Sequence, residues 1–228
     1  MTDLQRIFGN SWYEKLQHIL ESDYFNKIAA HIKWRLSLKK RIYPSSDDVF
    51  KAFRLTPFED VKIVILGNSI SCAPKTANGL AYGGKEEALQ LPHALKAIWK
   101  EVEEDTGEFI LSPDYTLEDW ARQGVLLLNT SLTSEERDAE GHERMWDHFI
   151  KEVLVSMNKE LAGVVYLLWG DHAKSYIPQI QKETNFILTA DHPDGEFVGC
   201  KHFTKANEIL TEVAKSLDKT PENFIIKW

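Results

Sequence analysis

The fold is most strongly constrained by four short apolar runs that alternate with amphipathic segments. The runs cover residues 61–66, 125–128, 164–169 and 186–189. Short, bounded apolar runs are typical of strands buried on both faces of a sheet. Apolar positions three to four residues apart predict helices at 93–105, 146–161, 173–183 (broken at Pro178) and 204–217. The alternation predicts an α/β fold, with a parallel sheet of about four strands and helices on both sides.

The length of the chain is consistent with one domain. Its 228 residues suffice for an α/β domain that buries ~70% of its unfolded surface. We expect a single domain over residues 1–228, formed by an N-terminal helical region at 1–45 and a sheet core at 46–228. A cluster of Pro, Ser and Asp at 43–48 predicts the loop between the two parts.

Charge and cysteine content narrow the function classes. The net charge is −8, with 27 Lys and Arg against 35 Asp and Glu, whereas a simple nucleic-acid binder carries the opposite balance or a basic stripe. The basic cluster at 33–41 is interpreted as a solvated helix face. Two cysteines, Cys72 and Cys200, cannot form a disulfide framework, so a reducing, cytoplasmic location is expected.

The sequence does not predict a membrane segment, a metal or a cofactor. No apolar run approaches the ~18 residues of a membrane span. The histidines have no zinc-type spacing around paired cysteines, and there is no glycine-rich phosphate loop.

Polar residues follow the predicted strands at the points where those strands end. Asn129 follows the second strand, Asp171 and His172 follow the third, and Asp191 and His192 follow the fourth. Ligands of open parallel sheets bind beyond the carboxyl ends of the strands. These side chains are therefore predicted to converge on one rim, although strand ends also carry Asn and Asp simply because these residues form turns.

Several blocks of the sequence resemble the family-1 uracil-DNA glycosylases. The blocks are "GLAY" at 79–82, "LEDWARQGVLLLNTSLT" at 117–133, "VVYLLWGDHAK" at 164–174 and "VGCKHFTKANEIL" at 198–210. They follow the family's order at similar spacing, and the resemblance extends over nearly the whole chain. It implies a four-stranded parallel sheet flanked by helices, and an enzyme that flips a uracil out of DNA and hydrolyses its glycosidic bond.

The resemblance implies roles for three residues of a base pocket. Asn129 matches the asparagine that reads the edge of uracil, since an amide offers a donor and an acceptor together. Tyr82 matches the aromatic residue on which the base stacks. His192 matches the histidine that stabilises negative charge on O2 of the departing base.

The loop after the first strand departs from the family. Where relatives have "GQDPYH", this chain has "GNSISC" at 67–72. Ser69 stands at the position of the water-orienting aspartate and brings no negative charge. Ser71 replaces a tyrosine that crowds C5 of the base, so a C5-substituted pyrimidine is expected to fit. Asn68 replaces a glutamine, and Cys72 replaces a histidine and is interpreted as a small, partly buried thiol.

The side expected to face DNA departs as well. His93 and Asp194 stand at positions of phosphate-contacting serines, and Asp171 replaces the serine of "GSHA". The "HPSPL" loop becomes "HPDGE" at 192–196, which ends in Glu196 and lacks the wedge leucine. Carboxylates repel the phosphates whose neutralisation supplies much of DNA affinity. Excision of uracil from duplex DNA is therefore predicted to be weak or absent.

Three hypotheses remain open from the sequence. The first is a glycosylase with an altered substrate, acting on a uracil-type or C5-substituted pyrimidine in single-stranded or unusual DNA, or in a nucleotide. The second is a module that binds the base without turnover. The third is an inactive homologue whose acidic rim contacts a protein partner.

Overall fold

The computed structural model describes residues 3–71, 76–85, 92–136, 138 and 141–228, with the backbone alone at Asn10 and Ser69. The helices are α1 (Asp3–Phe8), α2 (Asn10–Leu20), α3 (Asp23–Ser37), α4 (Lys51–Leu55), α5 (His93–Thr106), α6 (Glu118–Arg122), α7 (Glu143–Glu160), α8 (Gly170–Lys174) and α9 (His202–Ser216). The strands are β1 (Ile42–Tyr43), β2 (Ile63–Ser69), β3 (Val125–Ser131), β4 (Ser134–Glu135), β5 (Val165–Trp169) and β6 (Phe186–Ala190).

The central sheet has four parallel strands in the order β3-β2-β5-β6. Ile63 of β2 is in register with Val125 of β3 and with Val165 of β5, so the three strands begin level with one another. Helices flank the sheet, and a short antiparallel pair, β1 with β4, lies outside it. The predicted α/β class with a four-stranded parallel sheet is confirmed.

Burial follows the order of the strands. Every residue of β3 and β5 is buried, as expected for strands that are covered on both faces. Strand β6 differs, because its residues are exposed or half-buried and Phe186 is 43% exposed. The prediction that all four strands are buried on both faces is wrong for β6. Both β3 and β6 are edge strands, but α4, α6 and α7 pack against β3, whereas α8 is the main helix against β6.

Strands β2 and β3 are longer than predicted. The apolar run of β2 ends before Gly67, yet the strand continues to Ser69, and β3 continues to Ser131. The reason is that each strand supplies the other's hydrogen bonds past the end of its apolar run: Gly67 is in register with Asn129, and Ser69 with Ser131. Asn129 therefore lies within a strand rather than in the loop that follows it.

Most of the predicted helices are present with ends shifted by up to three residues. The exception is the segment at 173–183, where α8 ends at Lys174 and is followed by a 3-10 turn at Ile177–Gln179. Pro178 occupies the first turn of that 3-10 segment, where its missing N–H is tolerated. The segment therefore does not form one long amphipathic helix.

The basic cluster at 33–41 lies at the carboxyl end of α3 and beyond it. Arg35 donates from Nε and Nη2 to the Glu135 carboxylate at 2.7 and 2.8 Å, and Lys40 Nζ lies 3.2 Å from the same group. Arg41 pairs with Glu136 at 3.1 Å. Part of the cluster thus joins α3 to the β4 region through ion pairs within the protein. Among the described residues, no helix is long and apolar enough to cross a membrane.

Candidate active-site pocket

A pocket of about 290 Å³ lies at the carboxyl ends of β2 and β3. It is bounded by the end of β2, the segment 76–83, the start of α5 and the loop after β6. The residues that line it are Gly67, Asn68, Ile70, Ser71, Thr76, Ala77, Leu80, Tyr82, Gly83, Pro92, Ala94, Asn129 and His192. The sheet edge named from topology therefore does hold a cavity, and both Asn129 and His192 face it.

Asn129 is the buried polar group of this pocket. Its side chain is 4% exposed, and within the described part of the chain its amide forms no hydrogen bond with protein. Nearly all buried polar side chains find partners, so a buried amide at a cavity wall has hydrogen-bonding capacity left for a ligand. The register of β2 and β3 places Gly67 opposite Asn129, and because Gly67 has no side chain, the Asn129 Oδ1 can occupy the space beside it.

Tyr82 also lines the pocket and has a left-handed backbone, with φ of 62°. Its ring is 5.4 Å from that of Trp169 and 5.9 Å from that of His192. Burial, and secondarily the negative charge of Asp194, raise the pKa of the Tyr82 hydroxyl, so the ring stays neutral. A positive φ in a residue other than glycine is strained and is maintained only where surrounding contacts over-determine it.

Asn78, which the sequence analysis does not identify, holds the segment that carries Tyr82. Asn78 is 3% exposed; its Nδ2 donates to the Thr116 carbonyl at 2.8 Å and its Oδ1 accepts from Leu80 N–H at 3.0 Å. Ala81 N–H donates to the Leu127 carbonyl of β3 at 3.0 Å. The segment that carries Tyr82 is thereby attached to the sheet. An asparagine just before "GLAY" was the available signal, since Asn side chains commonly bond backbone two residues on.

His192 has a defined orientation. Its Nδ1 accepts a hydrogen bond from the Asp194 backbone N–H at 3.2 Å. A neutral imidazole has one donor and one acceptor, so Nε2 carries the proton in this arrangement. Gly170, with φ of 84°, allows the close approach, because a Cβ at residue 170 would stand 3.0 Å from the His192 Cβ. The ring is 41% exposed and is reachable from solvent.

The end of β2 is held by a short hydrogen-bond chain. Thr130 Oγ1 donates to the Asn68 carbonyl at 2.9 Å and lies 2.7 Å from His172 Nε2. Since the threonine hydroxyl has one proton, it accepts from His172 N–H. Asn68 and Ser71 are exposed and line the pocket. The Ser69 backbone pairs with β3, but its side chain and all of Cys72 lie outside the described residues.

The acidic residues expected near the rim have different surroundings. Asp171 is fully exposed. Lys174 Nζ lies 3.6 Å from Asp171 Oδ1 and 3.8 Å from Asp191 Oδ1. The Asp194 carboxylate oxygen Oδ1 accepts a hydrogen bond from His93 Nδ1 at 3.1 Å. Glu196 is exposed and forms no ion pair with any described residue. Acidic groups at this rim therefore alternate with a lysine and two histidines, and the prediction of an electronegative rim remains a prediction.

Comparison with known proteins gives the family. The model of the "Uracil DNA glycosylase superfamily" matches residues 53–211. The chain is 38% identical over 210 residues to the uracil-DNA glycosylase of Aliivibrio salmonicida, covering 90% of this chain and 93% of that protein. It is 36% identical over 220 residues to that of Proteus mirabilis, covering 94% and 95%. The chain belongs to the uracil DNA glycosylase superfamily.

Solved structures agree at the level of the fold. The crystal structure of mimivirus uracil-DNA glycosylase superposes with a TM-score of 0.86 at 19% identity, covering 99% of this chain and 90% of that one. The wild-type UNG of Nitratifractor salsuginis gives 0.63 at 19% identity, covering 99% and 96%. The family resemblance recognised in the sequence blocks is confirmed.

The buried side chain of Glu101 supports the segment that follows the loop after β6. Glu101 of α5 is fully buried and accepts from the backbone N–H groups of Gly199 and, at 2.7 Å, Lys201. Burial, and secondarily the proximity of Glu101, raise the pKa of the Cys200 thiol to about 12. Cys200 therefore remains a protonated thiol at neutral pH and does not act as a nucleophile. Among the described residues, no group of three or more His, Cys, Asp or Glu is arranged to hold a metal ion.

Proposed function

We propose that this protein is an N-glycosidic hydrolase for a uracil-type or C5-substituted pyrimidine, in single-stranded or unusual DNA or in a nucleotide. The observation that carries the proposal is the buried, unpaired Asn129 amide in a pocket that is also lined by Tyr82 and His192. An amide, an aromatic ring and an imidazole supply edge recognition, stacking and charge stabilisation, three of the functions that removal of a base requires.

Recognition is assigned to Asn129 and Tyr82. The Asn129 oxygen accepts from N3–H of a uracil-type base, and its NH₂ donates to O4. Cytosine presents an acceptor at N3 and a donor at C4, so the same amide held in one orientation opposes it. The Tyr82 ring, kept neutral by its raised pKa, offers an apolar face for stacking.

Bond cleavage is assigned to departure of the base assisted by His192. When the C1′–N1 bond breaks, its electron pair stays with the base and negative charge develops at O2. The His192 Nε2–H meets that charge, because its Nδ1 is already occupied as an acceptor. Water then adds to the cationic C1′ and loses a proton to solvent. Ser69 stands where relatives orient that water with a carboxylate, so it holds water without polarising it as strongly.

The altered substrate range is assigned to Ser71 and to the rim. Ser71 lines the pocket at the position where the family's tyrosine crowds C5, which leaves space for a methyl or hydroxymethyl group. Asp194 stands where the family has a phosphate-contacting serine, and Asp171 and Glu196 add negative charge on the same side. No wedge leucine offsets the few kcal/mol that base flipping from a duplex costs. Single-stranded substrates avoid that cost.

The test is a panel of oligonucleotides with uracil, 5-hydroxymethyluracil or thymine, each single- and double-stranded, at low salt. Release of base leaves abasic sites that are cleaved by alkali and measured on gels. We expect product from single-stranded substrates and little from duplex uracil. Absence of product across the panel, and of free base from the corresponding deoxynucleotides, would reject the hydrolase. Duplex uracil excision at the rate of a relative such as the Aliivibrio salmonicida enzyme would reject the altered substrate range.

A second candidate is an inactive homologue that binds a base or a protein partner. Ser69 in place of the aspartate favours it, since this change removes a charged group from the reaction without closing the pocket. It predicts that free uracil or a C5-substituted analogue raises the melting temperature, that Asn129→Ala cancels the shift, and that no abasic site forms.

A further inference from the structure

We infer that Asp194 is a positioning residue for His192, and that its carboxylate is tied across the mouth of the pocket by His93. The inference deepens the proposed function and rests on it for its kinetic consequence. The assignment differs from a role in facing phosphate, which the position of Asp194 in the sequence suggested.

The backbone of Asp194 sets the state of the His192 ring. Residues 192–195 form a turn that is closed by the Gly195 N–H, which donates to the His192 carbonyl at 2.7 Å. Within this turn the Asp194 N–H points back to His192 Nδ1 at 3.2 Å. As long as the turn keeps its geometry, Nδ1 is an acceptor and Nε2–H is the donor available to a ligand. Rotation of the Asp194 peptide would release the ring to its other tautomer.

The side chain of Asp194 ties this turn to another part of the pocket wall. Its Oδ1 lies 3.1 Å from His93 Nδ1, in a contact between residues 101 positions apart. His93 is the first residue of α5, and its neighbours Pro92 and Ala94 line the pocket as His192 does. The His93–Asp194 contact therefore spans two walls of the same cavity.

This tie acts on the exposed part of the turn, whereas Pro193 within it and Phe197 just after it are buried. Asp194 is 56% exposed at its side chain, His192 is 41% exposed, and Gly195 is exposed. The other Asp194 oxygen, Oδ2, lies 3.5 Å from His192 Nδ1, a distance too long for a good hydrogen bond. In addition, His192 Nδ1 already accepts from the Asp194 backbone N–H. The Asp194 carboxylate therefore positions the turn through its contact with His93. An exposed pair of this kind adds little to global stability, so its removal should disturb the position of His192 without unfolding the protein.

The direct test is NMR of the histidine rings at pH 8, where ¹⁵N shifts and two-bond couplings distinguish the two neutral tautomers. In the wild type, His192 is expected as the Nε2–H form. Asp194→Ala and His93→Ala should each give a mixture of tautomers. Asp194→Asn should keep the wild-type form, because the amide oxygen still accepts from His93. A wild-type signal in Asp194→Ala, or Asp194→Asn behaving as Asp194→Ala does, would overturn the inference.

A matched control is Glu152→Ala. It removes a histidine–carboxylate contact of the same kind, between His18 Nε2 and Glu152 Oε2 at 3.0 Å, on the α2 and α7 helices. The His192 signals should not change. A change equal to that of Asp194→Ala would mean that the ring responds to surface charge in general, which would also overturn the inference.

Kinetics supply a second readout on any substrate that the panel identifies. Asp194→Ala should lower kcat about tenfold or more, with KM within about twofold, because a displaced catalytic donor affects the transition state more than binding. The double variant with His93→Ala should be no slower than either single variant. Additive losses would overturn the tie. If no substrate is cleaved, the proposed function fails, while the NMR result still decides the role of Asp194.

Discussion

Gly67 stands directly opposite Asn129 in the β2–β3 ladder, and a Cβ at residue 67 would lie 2.5 Å from the Asn129 Oδ1. The same Cβ would stand 2.9 Å from the Ala81 Cβ, one residue before Tyr82. A glycine at this position thus permits the sheet to approach both the reading amide and the segment that carries the stacking ring. The requirement is one of close approach, since Gly67 is not among the residues with a positive φ.

Gly67→Ala is therefore expected to impair ligand binding more than folding. The added methyl must displace Asn129 or the Tyr82 segment, and a shift of about 1 Å in such groups is expected to cost tenfold or more in activity. Binding of uracil analogues by calorimetry and base release from oligonucleotides provide the measurements. Gly84→Ala is the control, because a Cβ there meets only ordinary contacts at 3.7 Å and beyond. Equal binding by the Gly67 and Gly84 variants would contradict the proposed packing.

Asn129→Ala should abolish base recognition while leaving the fold intact. The substitution removes both hydrogen-bonding groups, and each is worth about 1 kcal/mol or more when buried against a ligand. The expected result is loss of the uracil-induced melting shift and a fall in kcat/KM of at least about tenfold. Asn26→Ala, at an exposed position of α3, should behave like the wild type. A retained melting shift in the Asn129 variant would place the ligand elsewhere.

Ser69→Asp combined with Ser71→Tyr should increase excision of uracil. The aspartate restores a charge that polarises water, and general-base assistance is typically worth about 10²–10⁴-fold. Tyrosine at 71 should reduce cleavage of 5-hydroxymethyluracil and thymine by occupying the space at C5. The ratio of uracil to thymine product on single-stranded DNA measures both effects. If the ratio and the rate stay unchanged, the limiting difference lies in the altered 192–196 loop.

The stability of the protein should fall as the pH drops from about 6.5 to 4. His202 is 3% exposed and accepts at Nδ1 from Trp169 Nε1–H at 2.9 Å, and burial lowers its pKa to about 4. The unfolded chain, with an ordinary pKa of about 6.5, binds a proton first, so this contribution is fully present above pH 6.5 and is lost as pH falls through 4. The 2.5-unit difference corresponds to about 3 kcal/mol.

Urea titrations at pH 7, 5.5 and 4.5 measure this dependence. His142, whose pKa is also lowered by burial, contributes in the same direction, so the slope is shared between two histidines. His202→Gln removes one titrating group, and its free energy of unfolding should vary less with pH than that of the wild type. An identical slope in the variant would show that His202 is protonated equally in the folded and unfolded states.

Local patterns in the sequence were sufficient to predict the architecture and the family. The apolar runs in β2, β3 and β5 and the three-to-four spacing in α5, α7 and α9 depend on neighbours within one element, so they can be read without the fold. The blocks at 79–82, 117–133, 164–174 and 198–210 carried the family resemblance for the same reason, since each is contiguous along the chain.

The features that depend on distant residues emerged only from the tertiary structure. Strand β2 extends past Gly67 because β3 lies beside it. Strand β6 is half-exposed, whereas the other edge strand, β3, is buried because α4, α6 and α7 pack against it. The sequence places Asp194 at the position of a phosphate-contacting serine, and only the fold shows that its carboxylate meets His93, which is 101 residues away. Asn78 supports the Tyr82 segment through the Thr116 carbonyl, 38 residues away. Periodicity records which face of an element is apolar, whereas the partner of a polar group is determined by chain segments that only folding brings together.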